Sequence, residues 1–249
     1  MENFEQYSQY YDLLYKDKDY QAETDYVAGL ISQYDNDSKK VIELGSGTGI
    51  HARLLAQKGF SILGIERSAS MVDIANSMPV DKVEFQHADI TTFQSTQTFD
   101  IALSLFHVVS YLTGNKELIA TFENVNKVLR QHGLFIFDVW HSSAVNHQVP
   151  EEREKKLQNE DIEVVRKAIP VIFPEQNVVE VNYEIQVKEI NGQSNHTFKE
   201  KHPMRHFSRP ELELLAYATG FEILHSEEFL TKASPSVDTW GVCYLFRKL

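Results

Sequence analysis

At 249 residues, with 42% hydrophobic and 24% charged residues, the chain is long enough to bury one α/β core and lies outside the disordered, collagen-like and membrane compositions. A formal net charge of -12 argues against a nucleic-acid partner, because affinity for a phosphate backbone comes from clustered Lys and Arg that release counterions. The single cysteine, Cys243, excludes an intramolecular disulfide and a Cys-based zinc site, and neither a leader-like start nor a long apolar run is visible, so a cytoplasmic protein without a membrane partner is expected.

Apolar Tyr26, Val27, Leu30 and Ile31 recur at helical spacing and predict a helix over 21–34, ended by the polar Asp35-Asn36-Asp37-Ser38 loop. Val41 to Leu44 reads as a buried strand, Gly45 to Gly49 as a tight turn, and Ile50 to Lys58 as a helix stopped by Gly59. Strands follow at 61–65, 83–86, 101–105 and 134–139, with helices at about 70–77 and 116–130. This rhythm predicts an α/β fold, a Rossmann-like, doubly wound and mostly parallel sheet of seven strands. Beyond Trp140 the pattern becomes strand-like alternation at 161–168, 178–189 and 195–201, with Asn191-Gly192 as a hairpin turn, which predicts an inserted antiparallel β subdomain. Ser208-Arg209-Pro210-Glu211 opens a helix over 212–218 that Gly220 stops, and closing strands are expected at 221–229 and 239–246. The whole reads as a single domain, 1–249, with its core over about 20–143 and 206–249 and the insertion over about 144–205.

The sharpest local signal is Glu43-Leu-Gly-Ser-Gly-Thr-Gly49, set between a strand and a helix. Glycines there let the backbone turn sharply and approach a ligand closely. The third glycine of a dinucleotide fingerprint is replaced by Ile50, which weakens a nicotinamide reading and suits a cofactor without phosphates. A purely structural βα loop is the competing explanation. Against it, Glu66 ends the second strand about twenty residues after the first glycine, where a carboxylate can accept from both ribose hydroxyls of an adenosine. Asp89, after the third strand at the same sheet edge, is placed to accept from an adenine amino group.

In that order these residues resemble the class I S-adenosylmethionine-dependent methyltransferases. The resemblance implies S-adenosyl-L-methionine as cofactor, with Gly45, Gly47 and Gly49 as the loop along its methionine part and Glu43 orienting the methionine end. It further implies Glu66 on the ribose, Arg67 and Met71 against the adenine, Ala88, Asp89 and Ile90 at the adenine edge, and Tyr15 and Leu105 as further cofactor contacts. More narrowly, the segments Tyr10 to Tyr15, Leu105 to Leu112, Phe137 to Trp140 and the late His202 to Leu212 are similar to amino-sugar N-methyltransferases of deoxysugar biosynthesis. That similarity implies a small-molecule substrate, the amine of a nucleotide-linked sugar. The Gly-Arg-Gly sequence common after the N-terminal Tyr in such enzymes is absent, and Lys16-Asp17-Lys18-Asp19 stands instead.

Methyl transfer from a sulfonium is an in-line displacement, so the protein must align a nucleophile, exclude water and receive the amine unprotonated. His107, after the fourth strand, is the candidate base, with Tyr111 and Tyr15 orienting the acceptor; a structural histidine flanked by packing tyrosines is the competing reading. Asp138, Trp140 and His141 end the fifth strand as a candidate substrate wall. His202, Arg205 and His206 read either as a sugar-phosphate contact or as a charged surface edge. The ten histidines show no metal-ligand spacing, and no metal is expected. Other small amine or hydroxyl acceptors, and a cofactor-binding protein without turnover, stand as alternatives. The oligomeric state is open, a homodimer included.

Overall fold

In the computed structural model, which describes residues 10, 13–190, 192 and 195–249, the parallel half of the sheet is built from short apolar runs. The strands are β1 (Lys40–Leu44), β2 (Ser61–Glu66), β3 (Val83–His87), β4 (Phe99–Ser104) and β5 (Leu129–His141), of which β3, Val-Glu-Phe-Gln-His at the sheet edge, is the partly exposed exception. Alternation is hidden in the inner runs because both faces are covered. Val41, Ile101, Leu103, Leu134 and Ile136 enter one core with α1 (Tyr20–Tyr34) and α2 (Ile50–Gln57). Their neighbours Ile42, Ala102, Phe135 and Phe137 enter the other, under α4 (Asn115–Val128) and α6 (Arg209–Ala218). Further α-helices are α3 (Ala69–Asn76) and the short α5 (Ser142–His147).

The core order is β3-β2-β1-β4-β5, parallel throughout. It is completed by β11 (Gly241–Lys248), antiparallel against β5, and by β10 (Phe221–Glu228) beyond it. That gives the doubly wound, seven-stranded sheet expected from the sequence.

β5 outruns β4, whose last partner pair is Ser104 with Phe137. Over the overhang, Trp140 and His141 pair in parallel with His206 and Phe207 of β9 (Asn195–Phe207). Behind β9, β8 (Val178–Glu189), β7 (Ile162–Phe173) and β6 (Arg153–Gln158) run antiparallel, so among the described residues one continuous sheet has eleven strands. The antiparallel strands therefore hang directly past the carboxyl end of β4.

Three expectations need correction. β6 and α5 were not foreseen: Arg-Glu-Lys-Lys-Leu-Gln is an edge strand with Leu157 its one buried residue, and it lacks apolar alternation. β7 runs to Phe173 rather than Ala168. β9 runs to Phe207 rather than Lys201, because its polar-looking His-Pro-Met-Arg-His stretch is mostly buried. Of the expected hairpin turn, Gly192 lies in a bend and Asn191 is outside the described residues, as are Tyr11 and Asp12 of the N-terminal segment.

Leu14 packs with Leu157, Val164, Ile185 and Val187 beneath the antiparallel strands. Lys155 Nζ donates to the Leu14 carbonyl (3.1 Å) and Lys16 Nζ to that of Gln158 (3.0 Å). These contacts pin Leu14 and Lys16, ahead of α1, to the antiparallel strands. Among the described residues no helix is long and apolar enough to cross a membrane.

Candidate active site

The carboxyl ends of β1, β2 and β4, the residues leading into α1, and strands β8 and β9 enclose a cleft of about 590 Å³, within the size range of small-molecule sites. It brings together Tyr15, Gly45, Glu66, Arg67, Met71, Asp89, Ile90, Leu105, His107 and Tyr111. Glu43, Gly47, Gly49 and Ala88 do not line it.

One half of the cleft is set by the glycine loop. Gly45 has φ +70, and a Cβ there would come within 2.6 Å of Val108, so this residue lets the loop pack on the turn after β4. Gly49, at φ +79, lies against the Phe85 ring. Both glycines thus answer to protein neighbours, which is the sharp turn expected of them from the sequence. The Gly47 amide has another use: it donates to Glu66 Oε2 (3.0 Å), while the Ser68 amide donates to Oε1 (2.7 Å). Glu66 is thereby buried and fixed with acceptor capacity left on both oxygens. Asp89 Oδ1 accepts from the amide (2.7 Å) and hydroxyl (2.6 Å) of Thr91, which holds the carboxylate at the cleft. Buried Met71 and half-buried Ile90 supply apolar walls, while Arg67 stands at the exposed rim.

Below this half lies a buried ionic cluster. Lys18 Nζ is 2.7 Å from Glu23 Oε2, which also meets His51 Nε2 at 2.8 Å; His51 Nδ1 is 3.9 Å from Glu43 Oε1. Burial pulls the Lys18 pKa down, against the opposing pull of Glu23. Burial also lowers that of His51 and pushes Glu43 up to about 8. Lys18 lines the cleft and stacks over Phe106, 3.8 Å from the ring centroid.

In the other half, Phe106 and His107 take consecutive left-handed conformations, with φ +65 and +62. Such backbone costs of order 1–3 kcal/mol per residue and persists only where partners over-determine it. Asp138 is that partner: the His107 amide donates to both its oxygens (3.2 Å each), and His107 Nδ1 lies 2.6 Å from Oδ2. Burial works to raise the Asp138 pKa, but the His107 ring and amide outweigh it and hold the carboxylate below its usual range. With Nδ1 directed to Asp138, Nε2 is the nitrogen left for the cleft.

Across from this pair, the Tyr111 hydroxyl and His202 Nδ1 are 2.8 Å apart, and His202 Nε2 is 3.1 Å from Glu200 Oε2. Burial raises the Tyr111 pKa well above the ordinary phenol value. Arg166 Nη1 donates to the Tyr15 hydroxyl (3.3 Å), and Tyr15 packs edge-on against Phe106.

Among the lower-ranked candidates, Trp140 lines the cleft, whereas Asp138 is buried behind His107 and is not itself a wall residue. His141 is buried outside the cleft lining. His202, Arg205 and His206 are no charged surface edge, since all three are buried. Arg205 pairs with Glu211 and donates to Asn115 Oδ1 (2.8 Å), and His206 Nδ1 is 2.8 Å from Ser142 Oγ, so these two clamp β9 to α6 and α5. Sequence reasoning missed Lys18, His51, Tyr183 and Glu200. Their only signal is polar residues in otherwise alternating or capped segments, which reads as surface. Among the described residues, no group of three His, Cys, Asp or Glu is arranged to hold a metal ion.

Comparison with known proteins agrees with this geometry. Residues 17–226 match the model of a family described as a methyltransferase domain. A Geobacillus sp. (strain WCH70) protein named as a methyltransferase is 24% identical over 249 residues, 98% of this chain and 99% of its own. The dTDP-3-amino-3,6-dideoxy-α-D-glucopyranose N,N-dimethyltransferase of Streptomyces fradiae is 30% identical over 132 residues, 52% of this chain and 51% of that enzyme. Among solved structures, CalS10, an amino pentose methyltransferase from Micromonospora echinaspora with S-adenosylmethionine bound, has the same fold. It superposes with a TM-score of 0.78 at 20% identity, covering 100% of this chain and 99% of the other.

Proposed function

The chain belongs to the methyltransferase-domain family, whose cofactor is S-adenosylmethionine, and from that premise we propose that it methylates the nitrogen of a small amine, an amino group on a nucleotide-linked sugar. The observation that carries this reading is His107, buttressed by Asp138 at 2.6 Å, on the wall of the same cleft that holds Glu66.

The residues present fit the cofactor. Glu66, tied down by two backbone amides, retains acceptor capacity for a pair of ribose hydroxyls. Asp89 suits the adenine amino group, with Met71 and Ile90 as apolar faces beside the base. Lys18, a buried ammonium on the cleft wall, suits the cofactor's carboxylate and supplies the charge that the missing Gly-Arg-Gly segment would have brought. When bound, the cofactor supplies a methyl group on a positively charged sulfur.

The protein's part is alignment and proton handling. An aliphatic amine reaches neutral water protonated and has no lone pair to offer. Nδ1 of His107, committed to Asp138, leaves Nε2 to take that proton, the general-base role for which an imidazole is suited. Tyr15, Phe106, Trp140 and Tyr183 surround this position with rings that exclude water from the reacting pair. An open cleft with His107 and Tyr111 on its wall favours turnover over cofactor binding alone. The relative from Streptomyces fradiae, named for an amino-sugar substrate and two methyl additions, supports nitrogen over oxygen as the acceptor. A cytoplasmic location is part of the same proposal.

Incubation with S-adenosylmethionine and dTDP-3-amino-3,6-dideoxy-α-D-glucopyranose, followed by mass spectrometry, is expected to show the sugar nucleotide heavier by one or two methylene units. An unmodified sugar nucleotide beside a panel of other amines that do become methylated would overturn the substrate assignment.

A further inference from the structure

Two buried titratable groups below the cofactor half of the cleft, His51 and Glu43, have no part in ribose, adenine or acceptor recognition. Lys18 and His51 line the cleft, while Glu23 and Glu43 stand behind them. Glu23 Oε2 meets both Lys18 Nζ (2.7 Å) and His51 Nε2 (2.8 Å). A carboxylate paired with an ammonium only accepts, so Nε2 carries the proton of the imidazole and Nδ1 is the acceptor. Nδ1 in turn faces Glu43 Oε1 at 3.9 Å. Glu43 is 2% exposed, and its Oε2 has no hydrogen-bond partner among the described residues. So buried a carboxyl keeps its proton. Its pKa is pushed up to about 8 by burial, with Lys18 and Arg53 opposing and Glu66 adding. Burial also favours the neutral form of His51, helped by Lys18 and opposed by Glu23 and Asp138.

Glu43 carboxyl, imidazole, Glu23 carboxylate and Lys18 ammonium thus stand in line, with an acidic proton at the end away from the cleft. Resting on the reading above that Lys18 takes the cofactor's carboxylate, we propose that His51 is a positioning residue that works as a proton relay. When a ligand carboxylate draws Lys18 off Glu23, the Glu43 proton passes to His51 Nδ1. The Glu43 O–H bond breaks, an N–H bond forms on the ring, and no proton comes from solvent. The imidazolium replaces Lys18 as the cation on Glu23. Glu43 becomes a carboxylate just ahead of the glycine loop, faced by the imidazolium, Lys18 and Arg53, and by Glu66 as the one like charge. The gap of 3.9 Å, longer than a hydrogen bond, is the open state of the relay. It closes only for a ligand with an amino-acid end, because a second cation beside a Lys18 still seated on Glu23 is disfavoured.

Nitrogen-15 spectra of the side-chain imidazoles in the intact protein test the relay, with His51→Gln assigning the signal. His51 is expected as the neutral Nε2–H tautomer in the free protein and as the imidazolium with S-adenosylhomocysteine bound. The related 5′-methylthioadenosine, which lacks the amino-acid end, should leave it neutral. Calorimetry with S-adenosylhomocysteine in two buffers of different ionisation enthalpy should give equal heats; uptake of a proton overturns Glu43 as the source. Glu43→Gln, with no acidic proton to pass on, is expected to weaken S-adenosylhomocysteine about tenfold and leave 5′-methylthioadenosine unchanged. An equal loss for both ligands marks a merely structural role and contradicts the relay. If S-adenosylhomocysteine binds while His51 stays neutral, or if His51 is already charged in the free protein, the relay falls and the cofactor reading stands. If S-adenosylhomocysteine does not bind, both fall.

Discussion

Asp138 acts on His107 twice, through the ring and through the backbone amide, so the two residues behave as one unit. His107→Asn is expected to lower kcat by about 10²-fold or more, the usual worth of a positioned general base. Asp138→Asn should lose at least tenfold in the same direction, because an amide no longer enforces the productive tautomer. Stopped-flow or radiolabel kinetics measure both, and unchanged S-adenosylmethionine affinity separates lost chemistry from lost structure. Glu43 gives a pH prediction. Burial pushes it up to about 8, Lys18 and Arg53 oppose that, and Glu66 adds to it, with His51 close by. Its folded-state pKa exceeds the unfolded value, so the native state binds the extra proton and stability falls as pH rises from about 4.5 to 8. Glu43→Gln, which carries no titrating group, should raise the thermal midpoint more at pH 8 than at pH 5; equal shifts at both would refute the assignment. At this scale the sequence was only partly legible. Glu66, Asp89 and His107 stand at strand ends, where position alone is informative. Asp138 sits inside an apolar run and looked like a wall, while Lys18 and Glu200 pair with near neighbours, Glu23 and His202, in segments that read as surface, and His51 meets Glu23 across two helices.

The strand-loop-helix unit from β1 to α2 supplies Gly45, Ser46, Thr48, Ile50 and His51 to the cleft wall. Gly49→Ala forces a side chain into a left-handed conformation and against the Phe85 ring, and is expected to cost upwards of about 2 kcal/mol, or several degrees in thermal midpoint. Gly29, inside α1 with nothing within 4 Å of a Cβ, should behave oppositely: Gly29→Ala is expected to stabilise by roughly 0.5–1 kcal/mol. Differential scanning calorimetry of the pair checks both signs. β1, β2 and β4 were readable because each apolar run is bounded by turn residues and followed by a helix-spaced pattern. The antiparallel strands were readable only where they alternate. β6 hides because it is a charged edge, and the end of β9 hides because His202, Arg205 and His206 are polar residues buried against partners on other elements, Tyr111, Glu211 and Ser142.

On the scale of the whole molecule, the overhang of β5 beyond β4 is what joins the two halves of the site. It lets β9 continue the core sheet through Trp140 and His141, and it suspends Tyr183, His202 and Tyr15 over the carboxyl edge where Glu66 and His107 stand. No local pattern announces that junction, since it rests on two residue pairs distant in sequence. Ligand binding to this folded arrangement should stabilise the chain as a unit, by about 2.7 kcal/mol when the cofactor is present at a hundredfold its Kd. On this arrangement, one cleft is expected to hold an adenosine-bearing cofactor by the Glu66 carboxylate. Isothermal titration with S-adenosylmethionine tests it most directly: the native protein should bind one equivalent, and Glu66→Ala should bind at least about tenfold more weakly, a loss of roughly 1.4 kcal/mol. Absence of binding by the native protein, or equal affinity in the variant, would contradict the account.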